Sequence, residues 1–226
     1  MTKTYKSNIL AVTAESAKRV ISRGILNNGF VDMLSIYKGG DATIPFNSND
    51  AWFAPRQHLE SDENFRQVIP YILVEKSGKI LVYERTQSGG ESRLHNKTSV
   101  GFGGHVDIGD VSYDVSYDED GDSVDMGATI ANAALREITE ELRVDDKIDN
   151  FFVYGVIMKD DDLVDKVHIG LVLILKIGMG SVLSNESQID IIGFKEVDDI
   201  LKYHGDTLEG WSKTILENIQ QFGLPN

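Results

Sequence analysis

Residues 136–141 read Arg136-Glu137-Ile138-Thr139-Glu140-Glu141, and upstream stands Gly103-Gly104-His105-Val106-Asp107-Ile108-Gly109-Asp110. On a helix of 3.6 residues per turn, Glu137, Glu140 and Glu141 fall along one edge. Three carboxylates that close repel one another unless a cation lies among them. Hard oxygen ligands of this kind suit Mg²⁺ or Mn²⁺. Arg136, one turn before Glu140, has forked donors that can hold a carboxylate in place. The glycine-rich turn lets backbone approach the same spot. These residues together predict a divalent-metal site suited to a phosphate-bearing substrate.

The chain shows no internal repeat and no low-complexity linker. Residues 1–66 read as an N-terminal extension packed on the core, with a short strand from Ser7 to Val12 and a helix from Ala14 to Arg23. Gly39 to Pro55, rich in Gly, Asn, Asp and Pro, reads as loop. Gln67–Glu75 and Lys79–Thr86 read as two strands joined by a hairpin at Ser77-Gly78, with Pro70 marking an edge or a bulge. Ser99 to Phe102 is extended. Ala128 to Arg143 reads as the clearest helix, with Ala131, Leu135, Ile138 and Leu142 as its packing stripe. Phe151–Met158, Val167–Ile177 and Ile189–Phe194 read as strands. The second is apolar throughout and therefore central. Asp206-Thr207-Leu208-Glu209 resembles a capping box opening a last helix that buries Leu208, Trp211, Ile215 and Ile219. This order predicts an α/β fold, a mixed sheet with helices on both faces.

The chain has 226 residues, of which 41% are hydrophobic and 26% charged, so it can bury a full core. It has no cysteine, which excludes disulfides, thiolate metal sites and a cysteine nucleophile. No signal-peptide core follows residues 1–6 and no apolar run is long enough to span a bilayer, so a cytoplasmic protein without membrane contact is expected. The formal net charge of -14 repels nucleic-acid backbones, so long nucleic acids are not expected partners. A small anionic substrate remains compatible with that charge, because bound metal reverses the local field.

At these residues the chain resembles the Nudix (MutT-like) hydrolase superfamily, whose pattern is G-x5-E-x7-R-E-U-x-E-E-x-G-U with U a bulky aliphatic. Arg136, Glu137, Ile138, Glu140, Glu141 and Val144 match its second half. Gly104 matches its first glycine. Asp110 stands where the pattern has Glu, and Arg143 where it has Gly. Between Asp110 and Arg136 lie 25 residues where the pattern has seven, an insertion at about 110–127. The runs IPYILVEKSGKILVYERT and GGESRLHNKTSVGFGGHVD are similar to a bacterial branch of MutT-family predicted phosphoesterases. The resemblance covers residues 64–145 well and the ends poorly.

It implies the Nudix α/β/α sandwich over residues 67–226 and hydrolysis of a phosphoric anhydride by metal-activated water. The substrate class implied is a nucleoside diphosphate linked to another group. It makes Glu140 and Glu141 side-chain ligands and the Gly104 carbonyl a backbone ligand, with Glu137 either a ligand or the base. Arg136 stands beside them as the residue that positions the carboxylates. Glu186, before the late strand, occupies the place of a loop glutamate that several relatives use for metal or as base; it can equally be an ordinary loop acid. Arg85, Arg93 and His105 are candidate substrate-binding residues ahead of and within the glycine turn. A homodimer is one outcome the sequence allows. The insertion carries seven acidic residues and no basic ones. Its glycine is misplaced for an EF-hand, so it reads as a solvated lid or partner loop. Two other activities compete: a nucleotide sensor that keeps the fold without efficient cleavage, and isopentenyl diphosphate isomerase chemistry, which relies on a cysteine this chain lacks.

Overall fold

Two long apolar runs organise the sheet. The computed structural model describes residues 7–21, 26–27, 30–32, 51–86, 95–114, 123–148 and 151–224. Its main elements are β1 (Asn8–Thr13), α1 (Ala14–Ile21), β2 (Ala51–Pro55), β3 (Phe65–Lys76), β4 (Lys79–Arg85), α2 (Met126–Glu141), β5 (Phe151–Ile157), β6 (His168–Lys176), β7 (Ile189–Lys195), α3 (Val197–His204) and α4 (Gly210–Phe222). The strand order is β7-β4-β3-β6-β5, continued by Phe30–Asp32 and Leu26–Asn27. β3 and β6 run parallel, in register from His168 opposite Gln67 to Lys176 opposite Glu75; the other pairings are antiparallel.

Both central strands are buried on both faces, as continuous apolar runs require. Val68, Ile72, Val74, Ile169, Leu171, Leu173 and Leu175 pack with Ile130, Ala133, Ala134 and Ile138 of α2 and Ala17 and Val20 of α1. The alternate residues Tyr71, Leu73, Val172 and Ile174 pack with Ile200 of α3 and Ile215, Leu216 and Ile219 of α4. The period of two along each strand divides the core into two layers, giving an α/β/α sandwich.

Two left-handed residues, Ser77 (φ 53°) and Gly78 (φ 82°), close the β3–β4 hairpin. The two strands pair directly only beside that turn, at Glu75 with Ile80 and Lys76 with Lys79. They then diverge, and residues 98–102 fill the gap: Ser99 pairs with Tyr83 and Phe102 with Ile72. The chain leaves that gap through Gly103 and Gly104. β1 braces the exit, since the Leu10 N–H donates to the Val106 carbonyl at 2.8 Å. β1 also pairs with both β2 and β3, so residues 8–13 and 51–55 are hydrogen-bonded into the main sheet.

Several sequence expectations are corrected. Pro70 lies in a central strand, opposite Leu171. It is tolerated because the partner on the other side changes there, from β1 at Gln67 to the 101–102 segment at Ile72. Residues 51–55 form a strand paired with β1; residues 39–50 of the expected loop lie outside the described residues. In α2 the buried face is Met126, Ile130, Ala133, Ala134 and Ile138, while Leu135 is 43% exposed. Small alanines let the helix approach the sheet, and Leu135 points elsewhere. The final helix starts at Gly210, four residues after the expected cap, and Glu209 makes no capping bond. The helix Val197–His204 had no sequence counterpart in the expectation. Among the described residues, no helix is long and apolar enough to cross a membrane.

Candidate metal centre and adjoining cleft

The glycine turn and α2 are brought together by tight backbone constraints. Gly103 has φ +143°, and a Cβ there would stand 2.0 Å from the Pro70 carbonyl oxygen. A Cβ on Gly104 would stand 2.6–2.8 Å from the carboxylate of Glu137. Only hydrogen fits at Gly103, and a Cβ at Gly104 would have to displace the Glu137 carboxylate, so backbone lies directly against the acidic edge of the helix.

Arg136 organises that edge. Its Nε and Nη2 donate to the two oxygens of Asp110, each at 2.9 Å, and Nη2 also donates to the His105 carbonyl at 2.8 Å. Nη1 donates to Glu137 at 2.7 Å and reaches Glu140 at 3.5 Å. Asp110 is buried and also accepts from the Asp107 N–H at 2.8 Å. The shorter arm of an aspartate therefore suffices, because the 108–110 turn carries it to Arg136 and the guanidinium meets it two-pronged.

Of the three glutamates, Glu137 and Glu141 turn toward the glycines, while the Glu140 side chain is 57% exposed. Burial raises the Glu137 pKa against the opposing pull of Arg136. Glu141 is pushed up to about 8, first by burial and then by the charge of Glu137; a hydrogen bond from the Gly103 N–H opposes the rise. Its Oε2 is buried with no hydrogen-bond partner. An orphaned carboxylate oxygen in a low-dielectric place is costly, and a cation is the partner that removes the cost. Among the described residues, no three His, Asp or Glu side chains already stand as a cluster able to hold a metal. The fit to a divalent ion thus rests on Glu137, Glu141 and the glycine turn, with Glu140 at the rim under Arg136. Glu186 belongs to the same neighbourhood: its charge raises the Glu141 pKa, and the Asn185 N–H donates to the Glu141 carbonyl at 2.9 Å.

On the α4 side of the turn lies a cleft of about 390 Å³, floored by Ile69, Tyr71 and Gly101 and bounded by Arg85, Glu209, Trp211, His105, His168 and the 161–165 loop. Arg85 donates through Nε to Glu209 at 2.6 Å. Glu209 also accepts from Ser99 at 3.0 Å, and Ser99 shares a hydroxyl network with Ser212 and Tyr71. Burial, and then Glu209, holds the Tyr71 phenol well above its ordinary pKa, so it stays a neutral hydroxyl. His105 is pushed down to about 2 by burial, with Arg56, His168 and Arg136 adding to the effect. Its Nε2 donates to the Gln67 side-chain oxygen at 2.8 Å, so it brings a neutral imidazole, not a charge, to the cleft.

No family model matches the chain. It is 31% identical over 177 residues to protein YmaB of Bacillus subtilis, covering 73% of this chain and 76% of YmaB. The structure of Tm1382, assigned as a Nudix hydrolase, superposes with a TM-score of 0.68 at 22% identity, over 95% of this chain and 99% of that one. The chain belongs to the family of YmaB, and it has the fold of the Nudix hydrolase Tm1382. A MutT Nudix hydrolase from Burkholderia pseudomallei aligns over 68% of this chain and 98% of its own, at 16% identity and a TM-score of 0.43.

The Nudix residues named from the sequence fall into two groups in space. Gly104, Asp110, Arg136, Glu137 and Glu141 converge, and Glu140 and Glu186 flank them. Arg85 and His105 line the cleft. Arg93 lies outside the described residues, as do Gly89-Gly90 and residues 115–122 of the acidic insertion. Arg143, in place of the Nudix glycine, needs no left-handed turn: α2 ends at Leu142 in an extended conformation (φ −129°), and Leu142–Val144 pairs directly with Val182–Ser184. That ribbon brings Glu186 beside Glu141. Sequence reasoning missed Glu209, Ser99, Asp165 and His168, and it read Trp211 only as core. They are separated widely along the chain and carry no common spacing, so only the fold assembles them.

Proposed function

We propose that the chain is a metal-dependent hydrolase that cleaves a diphosphate linkage in a nucleoside diphosphate joined to another group. The observation that carries this reading is the buried, unpartnered Glu141 oxygen beside the Glu137 carboxylate at the Gly103–Gly104 turn. Glu137, Glu140, Glu141 and the Gly104 carbonyl would hold Mg²⁺ or Mn²⁺. Such an ion, when bound, neutralises phosphate charge and lowers the pKa of water. Arg136 keeps Glu137 pointed at the turn. Glu137, or Glu186, accepts the proton of the attacking water; a carboxyl whose pKa is raised by burial, as for Glu137, is the stronger base. Arg85, held by Glu209, presents a fixed guanidinium to substrate phosphate.

The test is a panel of nucleotide sugars, dinucleotides and damaged nucleoside triphosphates with Mg²⁺ or Mn²⁺ in ¹⁸O-labelled water, both products being identified. Cleavage should place one ¹⁸O on one product phosphate, and Glu141→Gln should abolish it while the protein still folds. Full activity in that variant, or in excess chelator, would refute the mechanism. Thermal stabilisation by nucleotides with no cleavage would assign the chain to the sensor reading instead.

A further inference from the structure

The wall of the cleft opposite the glycine turn differs in chemistry from the turn. Trp211 stands there in one fixed orientation. Its indole N–H donates to Asp165 at 2.9 Å, its ring meets Tyr71 edge-on with centroids 5.6 Å apart, and it rests on Gly170, where a Cβ would come within 2.5 Å of the ring. Around it the lining is rich in acceptors, Asp161, Asp162 and Asp165, while His168 donates its Nδ1 to the Val164 carbonyl and turns its Nε2 to the His105 Nε2 at 3.4 Å. Arg85 is the only Lys or Arg among the described lining residues, and Glu209 holds it. Lys159 pairs with Asp161 at 2.7 Å, and its charge also acts on Asp165.

A phosphate placed against this wall would face three carboxylates. A neutral ring bearing hydroxyl or amine donors meets complementary acceptors at its edge and an aromatic plane at its face. The volume, about 390 Å³, is in the range of small-molecule sites. We propose that the Trp211 wall is the subsite for an uncharged, donor-bearing ring of the substrate, with Asp165 both seating the indole and receiving the ring's donors. The substrate then lies with its phosphates at the glycine turn and its sugar or nucleoside ring against Trp211. This rests on the hydrolase reading for the position of the phosphates, but the ring subsite is testable without turnover.

The chain has two tryptophans, so ¹⁵N-labelled full-length protein gives two indole N–H resonances, which Trp211→Phe assigns. Adenosine, methyl glucoside and inorganic diphosphate, each with Mg²⁺, are the probes. At least one of the two rings should move the Trp211 resonance and leave Trp52 in place, and diphosphate should leave Trp211 unmoved. Whichever ring does so distinguishes a nucleoside from a hexose. Asp165→Asn keeps a carbonyl for the indole N–H, so the ligand-free resonance should stay, while ring affinity falls about tenfold. If neither ring moves Trp211, if diphosphate moves it equally, or if Asp165→Asn binds the ring undiminished, the proposal is overturned. Ring binding without cleavage of any panel substrate would sink the hydrolase reading and leave this subsite standing; cleavage with Trp211 unmoved would do the reverse.

Discussion

Removing the charge of Glu141 should make the metal-free protein more stable. The ordinary carboxyl pKa is 4.5, and burial beside Glu137 pushes Glu141 up to about 8. Between those values the folded protein holds a proton that the unfolded chain releases, so folding is penalised progressively as pH rises through that window. Each pH unit is worth about 1.4 kcal/mol, which bounds the penalty at pH 7 at roughly 3 kcal/mol. Glu141 is partly accessible and a glutamine amide leaves a donor of its own to satisfy, so the net gain for Glu141→Gln is about 2 kcal/mol. For a chain of this size that is a rise of roughly 4–8 °C in Tm. The assay is urea and thermal unfolding of both proteins in chelator at pH 5 and pH 8. The difference should be small at pH 5 and largest at pH 8. Added Mn²⁺ should then stabilise the wild type and not the variant, reversing the order. A variant equal to or weaker than wild type at pH 8 in chelator, or a difference that does not grow with pH, would refute the account of Glu141 as a buried, strained ligand.

Four further outcomes follow from the same geometry. Gly104→Ala should fold, because its Cβ meets only the movable end of Glu137, but should weaken Mn²⁺ binding about tenfold or more by calorimetry. Gly103→Ala, whose Cβ meets the Pro70 carbonyl at a left-handed φ, should instead lose more than about 2 kcal/mol in urea unfolding. Asp110→Asn breaks a two-pronged, largely buried contact to Arg136 and should cost about 2–3 kcal/mol, with Arg136→Met costing little more once Asp110 is already Asn, as a double-mutant cycle would read. His105 is held neutral in the fold at about 2 against an ordinary 6.5. Its contribution is therefore complete above pH 6.5 and is lost as pH falls below it, by up to about 1.4 kcal/mol per unit. His105→Gln should flatten the loss of stability between pH 7 and pH 5.

The acidic edge was legible because it is local. Glu137, Glu140 and Glu141 share a helix edge by spacing alone, and Arg136 sits within one turn of them. The hairpin at Ser77-Gly78 and the apolar run of β6 were equally readable, the first from turn chemistry and the second from burial on both faces. Even here periodicity misplaced part of the packing face of α2: Ile138 and Leu142 are buried as expected, but Ala131 and Leu135 are exposed, and Ala133 and Ala134, whose small size lets the helix lie on the sheet, were passed over. Pro70 misled for a related reason: a rule about single strands cannot foresee that a neighbour changes at that residue.

The donor chemistry of the centre, the two-layered burial of the central strands and the place of the glycine turn were all readable before folding, because each is a property of residues close in the chain. It takes the assembled fold to turn Glu140 outward and bury the Glu141 Oε2 without a partner, to hold Arg85 by Glu209 from 124 residues away, and to join Trp211 and Asp165 in one wall of a cleft. Burial and long-range pairing set those outcomes, and both depend on how the divergence of β3 from β4 opens the sheet beside Gly103 and Gly104, which no local pattern encodes.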